Sequence, residues 1–197
     1  MAMDSSKPRD SINNSFLELL KEKNYETIKV NEIAQKAFVS RATFYEYYNN
    51  KEEILTSLLE EFLIEFDSIQ KENTTFLNQI DMMQQEEIKA ILYPNTTKIL
   101  EYFFMKRELI SAFNSTNVHF DFMRILQRTY FDHFITALPN LFYQRIDEGM
   151  LEYYALFMTN GVTSIVERWF HKEFKTSLNT VSKTIINILS SNLHGEF

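Results

Sequence analysis

The chain has no cysteine and only three glycines and three prolines in 197 residues. Without cysteine there is no disulfide framework, no thiolate nucleophile and no cysteine-ligated metal. So little glycine and proline removes the turn chemistry that hairpins need and favours long helices joined by a few loops. No stretch reaches the ~18 consecutive apolar residues of a membrane-spanning helix, and no apolar run at the start looks like an export signal, so a cytoplasmic location without membrane attachment is expected. What the chain does have is apolar bulk. It is 45% hydrophobic, with 18 Phe and 10 Tyr, enough to build a sizeable core and too much for a disordered chain. The expected fold class is all-α.

A formal net charge of −7 argues at first sight against a polyanionic partner, but the charge is uneven. Residues 1–51 carry eight basic and seven acidic side chains, net +1, whereas the remainder carries twelve basic and twenty acidic, net −8. A bulk negative field weakens indiscriminate nucleic-acid binding and makes affinity depend on well-placed contacts.

The first 51 residues hold the most specific pattern. Apolar spacing predicts a helix from Asp10, with Ile12, Phe16, Leu19 and Leu20 on one face and Asn24 as a left-handed stop. A second helix is expected over Val30 to Ala37, a break at Phe38-Val39-Ser40, and a short third helix with Ser40 as its N-cap. Phe44 and Tyr48, four apart, pack inward. Ala34 is small where two helices crossing at a three-residue turn come closest. From Lys51 a long helix follows, with Ile54, Leu55, Leu58, Leu59, Phe62 and Phe66 as its buried stripe. Two helices around a short break form a helix-turn-helix pattern.

Val30, Ile33-Ala34, Ala37, Val39-Ser40, Thr43-Phe44-Tyr45, Tyr48, Lys51 and Leu55 stand at the spacing of the TetR family of transcriptional regulators, whose N-terminal domain residues 9–55 resemble. Two positions depart from that pattern: Phe38 stands where the family usually has Gly, and Lys29 where it usually has Thr or Ser. The resemblance implies a three-helix DNA-binding domain over 1–51 and a larger helical regulatory and dimerisation domain over 52–197. A major groove accepts one helix, whose N-terminal residues reach base edges. Arg41 can donate twice to a guanine, and Ala42 can touch a thymine methyl. Ser40, Thr43, Tyr45 and Tyr47 offer hydroxyls to phosphate, the resemblance placing Tyr45 on the backbone. Lys51 at a helix start, with Lys29 and Asn31 on the second helix, completes the expected DNA-binding set. Aromatic residues at helical spacing also serve as ordinary core, and a lone arginine as ordinary solvated surface; the spaced constellation is what favours DNA.

Beyond residue 51, residues 72–95 are expected as a linker or short helix. Helices are expected over Thr96–Phe113, broken near Lys106-Arg107, then His119–Leu138 closed by Pro139-Asn140, Asp147–Lys172 and Ser177–Leu193. The run Gly161, Ile165, Trp169-Phe170 is similar to the C-terminal domain of TetR-like proteins. One short reading helix buries too little for tight binding, so a homodimer on palindromic double-stranded DNA is expected. Its interface would lie on the last two long helices, at Tyr154, Met158, Gly161, Val162, Ile165, Val181, Ile185 and Ile188. In the family this domain encloses a ligand pocket. Phe103, Phe104, Phe113, Phe120, Met123, Tyr130, Phe134, Phe157 and Trp169 are the candidates to line one, for an apolar or aromatic small molecule; the same rings would equally fill a helical core.

His119 and His133 stand fourteen residues apart on one predicted helix, roughly 21 Å along its axis, too far to share a metal ion. No nucleophile–base pair, phosphate-binding glycine loop or paired carboxylates stand out, so neither catalysis, a metal nor a cofactor is expected. The alternative to a ligand-responsive repressor is a helical small-molecule or protein-binding module whose helix-turn-helix is structural. Arg41, Tyr45 and Lys51 favour the first, because they are costly to explain if no phosphate is bound.

Overall fold

The computed structural model describes residues 6–74, 85–118, 120–141 and 148–194. Among them the chain forms helices and no strand. In order these are α1 (Ser6–Glu22), a 3₁₀ turn (Tyr25–Thr27), α2 (Val30–Lys36), α3 (Arg41–Tyr47), α4 (Lys51–Thr74), α5 (Gln85–Met105), α6 (Arg107–Phe113), α7 (Phe122–Leu141), α8 (Glu148–His171) and α9 (Leu178–His194).

Most expected helices are present, and the exceptions have physical reasons. The stretch expected as a linker or short helix is helical where it is described: α4 reaches Thr74 and the long α5 begins at Gln85, while residues 75–84 lie outside the described residues. α5 continues through Pro94. A proline inside a helix removes one N–H and crowds the carbonyl four residues before it, but Pro94 is exposed, so water can take the freed carbonyl. α7 likewise runs past Pro139-Asn140 to Leu141. His119 lies outside the described residues, and His133 places Nε2 3.0 Å from Asp67 Oδ1. Asn24 is not left-handed: with φ −57° it caps the 3₁₀ turn, its side chain accepting from the Glu26 N–H.

The chain divides into two compact units, and the division falls inside α4. One holds the chain through Glu65 together with Glu108–Phe120; the other holds Phe66–Arg107 and the chain from Asp121 onward. In the first unit α1 packs against α2 and α3, and α2 against α3. Ile12, Phe16, Leu20, Ile33, Phe44, Ile54 and Phe62 are fully buried there, and Phe113 meets Phe120 edge-on at 5.2 Å. In the second unit α5 packs on α9, α7 on α8 and α8 on α9. Its core is an aromatic run in which Phe66 touches Phe103 at 5.4 Å and Tyr130 at 5.1 Å, and Phe103 meets Phe170 at 5.5 Å. Thr97 with Ser182 (2.9 Å) and Gln127 with Asn160 (2.7 Å) satisfy polar groups along the α5–α9 and α7–α8 seams. No helix among the described residues is long and apolar enough to cross a membrane.

Candidate nucleic-acid interface

The reading head is built on a helix stop. α2 ends with Ala37 as C-cap, after which the Phe38 N–H donates to Gln35 O (3.2 Å) and the Val39 N–H to Ala34 O (3.0 Å). This is a Schellman stop, which requires a left-handed residue at its pivot; Phe38 takes that role with φ 56°. The side chain of Ala34 is buried at the crossing. Ser40 then opens α3, its Oγ accepting from the Thr43 N–H at 2.9 Å and lying 2.9 Å from Thr43 Oγ1. Phe44 and Tyr48 are buried, as their spacing predicts. The Tyr48 hydroxyl donates to Asn13 at 2.7 Å and accepts from Arg9 at 3.1 Å, and Arg9 goes on to Ser57 and Glu61, tying α1 to α4. Sequence reasoning missed this network, because Arg9 and Asn13 carry no motif signal.

The surface of α2 and α3 presents Lys29, Asn31, Arg41, Ala42 and Tyr45, all exposed. Tyr45 is 47% exposed, stands edge-on to Phe44 at 5.5 Å, and carries the Arg41 guanidinium 6.0 Å from its ring centre. Tyr47 and Thr43 are half-buried. With Lys29 in place of a hydroxyl residue, α2 is capped from the other direction: Glu32 Oε2 accepts from the Lys29 N–H at 2.9 Å.

Most cations of this unit are occupied within it. Arg9 pairs with Glu61, Lys21 with Glu108, Lys23 with Glu32, and Lys36 with both Glu18 and Glu22. Of this unit's described cations Lys7, Lys29, Arg41 and Lys51 form no ion pair. Lys29 and Arg41 stand at the starts of α2 and α3, where positive charge suits phosphate and base edges.

Lys51 is different from what its sequence position implies. Its ammonium donates to three carbonyls, Tyr25 O (2.8 Å), Glu26 O (3.2 Å) and Ile28 O (3.1 Å), and sits 4.4 Å from the centre of the Tyr25 ring. The structure assigns the charge to closing the α1–α2 connection onto the start of α4. The α4 terminus is itself capped, Asn50 Oδ1 accepting from the Glu53 N–H at 2.8 Å.

In the second unit the expected pocket residues separate. Phe103, Tyr130 and Trp169 are buried, and Tyr130 stacks on Phe134 at 6.5 Å. Phe104 lies over Trp169 at 6.5 Å but is partly exposed, Met123 is half-buried, and Phe157 is 59% exposed. Phe113 and Phe120 belong to the first unit. Burial pushes the Tyr130 hydroxyl's pKa far up, and the Thr159 hydroxyl on α8 is buried without a partner. The expected dimer residues also divide. Met158, Val162, Val181 and Ile185 are buried in the chain's own core, Tyr154 and Ile165 are half-buried, and only Gly161 and Ile188 face outward. The outward apolar stripe of α8 is Met150, Tyr153 and Phe157 with Gly161. The start of α8 is apolar nearly all round, so periodicity could not choose between the stripes. Among the described residues no three histidines or carboxylates group as metal ligands.

A small helical head with a left-handed stop between two crossing helices, and its free cations at their starts, is a helix-turn-helix of the DNA-binding class. Comparison with known proteins makes this specific. Residues 17–58 match the bacterial regulatory proteins of the tetR family, and residues 91–191 match a transcriptional regulator C-terminal region. The chain belongs to the TetR family of transcriptional regulators, not to an enzyme family. YxbF of Bacillus subtilis (strain 168), an uncharacterized HTH-type transcriptional regulator, is 27% identical over 153 residues, covering 72% of this chain and 40% of YxbF; the chain thus spans less than half of that relative. Three solved structures share the fold. FadR from Bacillus halodurans, a fatty acid degradation regulator, has a TM-score of 0.62 at 18% identity over 93% of this chain and 94% of its own. DhaS, a dihydroxyacetone kinase operon activator, reaches 0.59 at 17% over 94% and 96%. FadR from Bacillus subtilis, in complex with stearoyl-CoA, reaches 0.56 at 19% over 93% and 98%.

Replacing Lys51 by Met keeps the stem and removes the charge. It should lower stability to urea by about 2 kcal/mol, since hydrogen bonds from a charged donor contribute ~1.5–3 kcal/mol. Unchanged stability with a salt dependence of DNA binding reduced by one phosphate would return Lys51 to the phosphate backbone.

Proposed function

We propose that the protein is a ligand-responsive homodimeric repressor that binds a palindromic operator. Residues 1–51 would form the DNA-binding domain and 52–197 the regulatory and dimerisation domain. The observation that carries this reading is the placement of Lys29 and Arg41: the first unit's other cations, Lys7 apart, are held internally, and these two stand unpaired at the starts of α2 and α3. Arg41 is assigned to a guanine and Ala42 to a thymine methyl. Lys29, Asn31, Ser40, Thr43, Tyr45 and Tyr47 are assigned to phosphates and flanking bases, and Lys51 to the fold of the head.

Selection from random duplexes should return an inverted repeat with half-sites about one helical turn apart. Arg41→Ala should relax the preference at one base pair per half-site and weaken binding by roughly 1–3 kcal/mol. Failure to recover any preferred duplex would favour the alternative, a binding module with a structural helix-turn-helix.

The second copy is assigned to the outward stripe of α8 and to Ile188 on α9. A Cβ built on Gly161 meets nothing within 4 Å, so this face is open enough for a close helix–helix approach, and its exposed apolar side chains favour cover. Tyr153→Glu with Phe157→Glu should give a monomer in sedimentation with its helix content intact and its operator affinity much reduced. A dimer that survives both changes would place the interface elsewhere.

For the ligand, the buried aromatic run from Phe66 and Phe103 through Tyr130 to Phe134 supports an apolar small molecule, with the Tyr130 and unpartnered Thr159 hydroxyls available to a polar end. The stearoyl-CoA held by one FadR neighbour makes fatty acyl compounds the first class to screen. Coupling between sites is reciprocal. A ligand found by thermal shift should weaken operator binding, and operator DNA should weaken ligand binding by the same factor; a ligand that binds without changing DNA affinity would rule out control by release.

A further inference from the structure

Phe38 is the most exposed large apolar side chain of the described residues, 96% open to solvent, and it sits at a backbone position that favours glycine. Its φ of 56° places it in the left-handed region, where a β-carbon is crowded. The stop it forms is complete in the backbone alone, through the Phe38 N–H to Gln35 O and the Val39 N–H to Ala34 O, so the ring adds nothing to it. The other left-handed aromatic is a contrast. At the end of α8 the same stop recurs, with the Glu173 N–H donating to Phe170 O (2.8 Å) and the Phe174 N–H to Trp169 O (3.1 Å). There the pivot is Glu173, φ 52°, and the Phe174 that follows it, also left-handed at φ 57°, is buried against Trp169, 4.8 Å between centres, and closes the motif with an apolar contact. Phe38 bears the backbone strain and leaves its ring in water.

We propose that the Phe38 ring is an apolar DNA contact at the rim of the reading head. The inference rests on the DNA-binding reading above and deepens it. Phe38 is two residues before Ser40, the cap of α3, so its Cα lies within ~7.6 Å of the Ser40 Cα. It therefore lies beside the exposed start of α3, where Arg41 stands. Every other residue assigned to that surface except Ala42 is polar. Duplex DNA presents apolar surface there in two forms, the thymine 5-methyl group in the major groove and the carbons of deoxyribose along its rim. A phenyl ring offers area to either without needing a hydrogen-bond partner. It adds affinity without adding charge, which suits a chain whose bulk field opposes DNA.

The test separates the ring's effect on the fold from its effect on binding. Phe38→Gly removes both the strain and the ring, and Phe38→Leu restores apolar bulk at the same backbone. In the full chain, Phe38→Gly should melt roughly 2–6 °C higher, because relief of a left-handed β-carbon favours the folded state. The same variant should bind the selected operator roughly fivefold or more weakly, the loss that marks a contributing interface side chain. The slope of log affinity against log salt should stay unchanged, because no phosphate charge is lost. Phe38→Leu should recover most of the affinity. An operator with deoxyuridine for thymine distinguishes the two surfaces. If the methyl is the contact, wild type weakens on it and Phe38→Gly does not weaken further; if the sugar is the contact, neither responds. Operator affinity unchanged by Phe38→Gly overturns the proposal while leaving the repressor reading intact. Absence of any preferred operator for the wild type overturns the reading on which it rests.

Discussion

The short connection between α2 and α3 is the constraint on which the reading head depends. Ending a helix sharply and restarting at a steep crossing requires one left-handed residue, one small side chain at the crossing and one cap on the new helix. Phe38, Ala34 and Ser40 supply these in turn. With that turn fixed, Phe44 and Tyr48 fall into the core and Arg41, Ala42 and Tyr45 are left on the outside. Phe44 and Tyr45 thus divide between packing and surface, with Tyr47 half-buried between them, because successive positions on a helix differ by about 100° and those three or four apart share a face.

Charge explains how an acidic chain can carry such a head. Part of the first unit's acidity is taken up by ion pairs within it. Glu18, Glu22, Glu32, Glu61 and Glu108 each hold a named cation. Neutralised pairs of this kind contribute little stability where they are exposed, but they decide which positive charges remain for a partner.

The second unit follows a different logic. Its helices are joined by stacked and edge-on aromatic rings, with a few hydroxyl and amide pairs set along the seams. Rings of this size bury large areas, and a hydroxyl such as that of Thr159, held in the core with no partner among the described residues, is a cost the fold carries unless something else meets it. The two apolar sides of α8 belong to the same picture. A helix apolar on both sides can satisfy its own core and still present Met150, Tyr153 and Phe157 outward.

By itself the sequence determined the helical class, the position of the helix-turn-helix and its inward pair, Phe44 and Tyr48. It also placed most helices of the second unit. These are local matters, fixed by periodicity, capping and the lack of turn residues. It could not determine what each side chain meets across the fold. Lys51 closing three carbonyls, Arg9 reaching Tyr48 and Glu61, and the choice of buried stripe on α8 all depend on residues far away in the chain. The helical run through Pro94 depended on which side of α5 faces water. The left-handed turn at Phe38 lay between these cases. The departure from glycine was visible in the sequence, but only the tertiary structure decided that the backbone would keep its turn and the ring would be left outside, because the hydrogen bonds of the stop and the close crossing at Ala34 hold the backbone whatever side chain the pivot carries.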